Sequence, residues 1–109
     1  MKDDINNYLD KFEEQTKQRF SILHELIYES TVGNVEEKLW AKIPSYYVED
    51  NFVRIIPFKD HINIEAKAVV THRSELTEYK ITPKGMLQIY HKQIVPSESL
   101  KVIFKESLG

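Results

Sequence analysis

The spacing of hydrophobic residues shifts from a helical to a strand-like period near Gly33-Asn34. Before that point Ile5, Leu9, Phe12, Thr16, Phe20, Leu23 and Ile27 recur at intervals of three and four. Such spacing sets one apolar stripe on a helix and predicts helix over residues 4–31. The opposite side carries Asp10, Glu14, Lys17, Gln18, Ser21 and Glu25. The stripe allows one bent helix or a pair broken near Lys11–Glu14. Asp3 or Asp4 would cap its start, and Gly33-Asn34, which tolerate the left-handed conformation, would end it.

From Val35 onward, short segments rich in β-branched and aromatic residues alternate with turn residues, as in strands. The predicted strands are 35–42, 45–49, 52–57, 60–65 and 86–91. Glu49-Asp50-Asn51 and Lys59-Asp60 read as tight connections, which favour antiparallel pairing. Pro44 and Pro57 belong at strand ends or edges, because proline donates nothing to a ladder. Thr71 or Ser74 would open a short helix through Glu78. Pro96 then leads a C-terminal helix whose stripe is Leu100, Ile103 and Phe104. The expected architecture is α+β: an N-terminal helix or helix pair, an antiparallel sheet of about five strands, and a C-terminal helix. At 109 residues, without repeat or linker, a single domain over 1–109 is expected.

Composition narrows the chemistry. The absence of cysteine removes thiolate ligation, disulfides and thiol catalysis, and fits a cytoplasmic setting. The apolar runs are far short of the ~20 residues a membrane helix needs, and no apolar segment follows Met1-Lys2-Asp3-Asp4, so neither a membrane partner nor a signal peptide is expected. Residues 1–38 carry nine acids and five bases, a net −4, and the rest of the chain nets +2. Neither part holds a dense basic tract, so no nucleic-acid partner is expected. Three scattered glycines exclude a glycine-rich phosphate cradle.

Three groups of residues carry chemistry. His61, Asn63 and Glu65 alternate along one predicted strand and share a face, although residues two apart are roughly 7 Å apart, too far for easy joint ligation. Asp10, Glu13 and Glu14, with Glu25 and Glu29, form an acidic helical surface whose oxygens could hold a cation weakly. Trp40, Tyr46 and Tyr47 gather around Pro44, as aromatic residues that wall a pocket do. His24 and His91 have no neighbours in sequence that suggest a role.

The segments Val35-Glu36-Glu37-Lys38-Leu39-Trp40-Ala41-Lys42-Ile43-Pro44-Ser45-Tyr46, Ile56-Pro57-Phe58-Lys59-Asp60-His61-Ile62-Asn63-Ile64, Leu76-Thr77-Glu78-Tyr79-Lys80 and Gly85-Met86-Leu87-Gln88-Ile89 together resemble the YdhG-like domain family of unknown function. The resemblance implies an antiparallel sheet flanked by helices. One bacterial branch of that family is described as a frataxin-like intracellular iron chaperone. It therefore implies a non-enzymatic protein that binds Fe²⁺ weakly and delivers it to iron-cluster assembly proteins, with Asp10, Glu13 and Glu14 as metal-site candidates. The alternative is a small-molecule or peptide binding module built on the family-like positions Trp40, Tyr46, Tyr47, Lys59, His61, Tyr79, Lys80 and Gln88, and a homodimer is compatible with each reading. A third reading is an enzyme in which His61, paired with a carboxylate such as Glu65, exchanges protons near neutral pH.

Overall fold

A computed structural model describes residues 1–109. The N-terminal stripe forms two helices, α1 (Asp3–Leu9) and α2 (Glu14–Ser30), with the break at Asp10–Glu13. Both bury their stripe: Ile5 and Leu9 from α1, and Thr16, Phe20, Leu23, Leu26 and Ile27 from α2. Phe12 fills the turn between them and lies 5.7 Å from the Tyr8 ring, centroid to centroid. The helix ends differ from expectation. Lys2 occupies the N-cap of α1, and Asp3 and Asp4 lie inside its first turn, where they still meet the positive end of the dipole. α2 stops before Gly33. The hydroxyls of Ser30 and Thr31 donate to the carbonyls of Leu26 and Ile27, at 2.8 and 2.6 Å, and Thr31 is extended. These local bonds compete with the next helical turn, so no left-handed glycine is needed there.

Six strands follow: β1 (Glu36–Trp40), β2 (Ile43–Val48), β3 (Asn51–Pro57), β4 (His61–Ala66), β5 (Lys80–Ile81) and β6 (Leu87–Tyr90). They form one antiparallel sheet in the order β1-β2-β3-β4-β6-β5. Two differences from the sequence reading matter. The segment 35–42 is not one strand: the chain reverses at Ala41 (φ 50°) and Lys42 (φ 66°), and Trp40 pairs with Ile43. The sixth strand, β5, is only two residues long and pairs with β6 through Ile81–Leu87 and Lys80–Gln88. The prolines sit where the ladder permits them. Pro44 pairs only toward β1, and Pro57 is the last residue of β3. In place of the short helix expected from Thr71 or Ser74 there is a 3₁₀ turn, Val70–Glu75. Gly85, at φ 86°, then reverses the chain ahead of β6, a conformation that suits glycine.

Alternation assigns the two sheet faces. Tyr46, Val53, Ile55, Ile62, Ile64, Leu87 and Ile89 are buried on one face, beneath the helices. The C-terminal helix α3 (Ser97–Leu108) adds Leu100, Ile103, Phe104 and Leu108, and α2 packs beside it. All belong to one core cluster. Each fully buried aliphatic or aromatic side chain contributes about 1.5–3 kcal/mol. The other sheet face has no helix over it. No helix is long and apolar enough to cross a membrane.

His72 fastens the 3₁₀ turn to α3. Its Nδ1 lies 2.5 Å from Glu75 Oε2 and its Nε2 lies 2.7 Å from Glu106 Oε1. Hydrogen bonds to Glu106 and then Glu75 raise its pKa above the ordinary histidine value. A raised folded-state value stabilises the fold fully below the unfolded value, about 6.5, and that gain is lost as pH rises through the folded value. His72→Gln is therefore expected to lower the urea midpoint more at pH 5.5 than at pH 8.5. Equal losses at the two pH values would show that the imidazolium contributes nothing.

Candidate functional site

Three segments meet at one end of the sheet: the α1–α2 turn with the first turn of α2, the β3–β4 turn, and the chain leaving β6. They enclose an open cleft of about 780 Å³ lined by Glu13, Gln15, Lys59, Asp60, Tyr90, His91 and Lys92. A neighbouring hollow of about 350 Å³ shares Glu13 and Lys59 and adds Lys11, Phe12 and Thr16.

The walls are fixed by hydrogen bonds that follow from the sheet register. His61 pairs with Tyr90 across β4 and β6, and the His91 N–H donates to the Asp60 carbonyl at 3.0 Å. This holds the β3–β4 turn against the end of β6. His91 Nε2 lies 2.9 Å from Thr16 Oγ1, which ties the same strand end to α2. Arg19 donates to the Gln93 carbonyl at 2.6 Å and to the Tyr90 carbonyl at 3.3 Å, bracing the turn after β6.

Lys59 and Lys92 stand in the cleft with two carboxylates, Glu13 and Asp60. Lys11 lines the neighbouring hollow, its Nζ 4.4 Å from the Tyr8 ring centre. Asp60 is already engaged: its Oδ1 lies 2.7 Å from His61 Nδ1, and that hydrogen bond holds its carboxyl below the usual range. Burial, then the nearby Arg19 guanidinium, lowers the His91 pKa below the ordinary histidine value. No side chain caps α2. The N–H groups of its first turn lack intrahelical acceptors and carry the positive end of the helix dipole.

The residues singled out in the sequence fall in several places. Lys59 and Glu13 line the cleft. Trp40, Tyr47, His61, Lys80 and Gln88 all lie on the uncovered sheet face, spread from β1 to β5. Tyr46 lies on the opposite face, fully buried, with its hydroxyl 3.0 Å from His24 Nδ1. Tyr79 is half-buried, and its hydroxyl donates to the Ile94 carbonyl. His61, Asn63 and Glu65 do share a face, but His61 pairs with Asp60, and Glu65 pairs with Arg54 at 3.3 Å. The acid–base pair His61–Glu65 is thus not formed. Asp10 and Glu14 are exposed, and Asp10 faces Lys17 at 3.9 Å. No three His, Asp or Glu side chains stand where they could together hold one metal ion.

Sequence reasoning missed His91, Lys92, Lys11 and Gln15. His91 carries no local signal, because its partner Thr16 is 75 positions away. Lys11 reads as ordinary helix surface until the break at Asp10–Glu13 places it on the wall of the hollow that Lys59 also lines. No family model, curated relative or solved structure matches the chain.

Proposed function

We propose that the chain is a non-enzymatic binding protein that holds a small anionic ligand, a carboxylate or phosphate, in the cleft between the α2 N-terminus and the β3–β4 turn. The observation behind this reading is the placement of Lys59 and Lys92 in the cleft beside an uncapped 17-residue helix, with Lys11 in the adjoining hollow and Glu13 as the one carboxylate not already engaged. Ammonium groups supply charge, and first-turn N–H groups supply directed donors. The cleft is open and six of its seven lining residues are polar or charged, which suits reversible binding of a hydrated ion more than enclosure of an apolar molecule. Delivery of Fe²⁺, which the YdhG-like resemblance suggests, draws its support from that resemblance alone.

Binding to the folded state raises stability by mass action, by about 1.4 kcal/mol at ten times Kd. Phosphate is therefore expected to raise Tm by several degrees relative to chloride at matched ionic strength and pH. Lys59→Gln with Lys92→Gln should remove most of that difference. An equal Tm in phosphate and chloride overturns the proposal, as does an increase that survives the double substitution.

A further inference from the structure

The sheet face opposite the helices carries a second arrangement, separate from the cleft. Arg54, on β3, is only 8% exposed. Its guanidinium carbon lies 4.0 Å from the centre of the Trp40 ring on β1 and 3.8 Å from that of Phe52 on β3. Tyr47 Oη accepts from Arg54 Nη2 at 3.4 Å, and Glu65 holds Nη1 at 3.3 Å. Lys38 Nζ stands 4.7 Å from the Tyr47 ring centre. Cation–π contacts and one ion pair thus fix three aromatic rings on a surface that no helix covers. Trp40 nevertheless remains 51% exposed.

The charge on this face differs from that of the whole chain, which nets −2. Register places Lys38, Arg54 and Lys80 on it, with Glu36 and Glu65 as its acids. Lys67 and Lys84 stand at its rim, where they line a hollow with Phe52 and Glu65. Because Glu65 is paired with Arg54, the free charge is predominantly positive. In sequence these cations are dispersed over 47 positions from Lys38 to Lys84 and read as no basic tract; strand pairing collects them.

We infer that this uncovered sheet face, with Trp40, Tyr47 and Phe52 beside Lys38 and Arg54 on β1–β3 and Lys80 at the far edge on β5, is a binding surface for single-stranded nucleic acid. Bases stack on exposed aromatic rings, while phosphates are met by flanking cations. The six strands span about 24 Å, enough for several nucleotides laid across them. A single strand is required, since a duplex hides its base faces. An acidic peptide would use the cations but leave the half-exposed indole without a role, so the aromatic residues favour bases. The rings are already immobilised by Arg54, which reduces the ordering cost of stacking.

Trp40 is the one tryptophan of the chain, so the test has an internal probe. The full chain is titrated with oligo-dT and oligo-U of twelve nucleotides at low salt, following Trp40 fluorescence and the anisotropy of a 5′-labelled strand. Quenching of Trp40 together with an anisotropy rise is expected, weakening as salt increases. Lys38→Glu with Lys80→Glu, both exposed positions, should weaken binding by about tenfold or more. Lys105→Gln, exposed on α3 and outside both surfaces, should leave it unchanged, which shows that binding does not simply follow net charge. Four results would overturn the inference. One is no signal at 100-fold excess of either strand, and another is unaltered affinity in the double variant. The third is equal quenching by poly-glutamate, which would point to an acidic peptide. The last is a concentration-dependent Trp40 shift without oligonucleotide, which would mean that a second copy covers the face.

Discussion

Phe104→Ala is expected to lower the unfolding free energy by about 3–5 kcal/mol, the range for deleting a buried phenyl group. Phe104 is fully buried on α3, within the cluster that joins both long helices to the sheet. The loss has two parts: the transfer of the ring from water, and the cavity left because neighbouring side chains relax only partly. Domains of this size have about 5–15 kcal/mol in total. The variant should therefore unfold at a much lower urea concentration or fail to fold at 37 °C. Phe104→Leu keeps most of the volume and should cost much less. A loss below 1 kcal/mol for the alanine variant, measured by urea unfolding with unchanged slope, would show that α3 does not close the core.

Ala41→Asn with Lys42→Gly is expected to act in the opposite direction, stabilising the chain by about 1–2 kcal/mol. The β1–β2 reversal puts two non-glycine residues at φ 50° and 66°, between the paired Trp40 and Ile43. A two-residue hairpin with both central residues left-handed is the turn for which Asn-Gly is favoured. An L side chain in that region costs roughly 1–2 kcal/mol through contact of Cβ with the following carbonyl. The substitution relieves this cost without touching the core, and Tm should rise by several degrees. An unchanged or lower Tm would mean that Ala41 and Lys42 make compensating contacts.

The same turn explains where the sequence could and could not be read. The stripe from Ile5 to Ile27, the stripe on α3 and the alternation Ile62-Ile64 against His61-Asn63-Glu65 are periodic, and each appears in the fold with its apolar side buried. Ala-Lys, by contrast, has no turn chemistry, so 35–42 reads as one strand when its last two residues are a reversal. The register of β1 against β2 depends on that reversal, and with it the placement of Trp40 and Lys38 beside Tyr47 and Arg54. β5 was illegible because two residues show no period. The cleft was partly legible. Lys59 and Glu13 stood out by motif and charge, whereas His91 and Lys92 acquire meaning only when the β4–β6 pairing brings them to the β3–β4 turn. Asp60 illustrates the same limit. It read as a turn residue, and the structure gives it the His61 ring as a partner.

Anion binding in the cleft is the central functional claim, and a residue-by-residue titration tests it most directly. Uniformly ¹⁵N-labelled protein is titrated with phosphate, with chloride at matched ionic strength as reference. Saturable shifts are expected of the backbone amides of Glu14, Gln15 and Thr16 at the start of α2, and of Lys59, His91 and Lys92 across the cleft. The amides of β1 and β2 should stay in place. Shifts that fail to saturate, or that centre anywhere other than the α2 N-terminus, would contradict it.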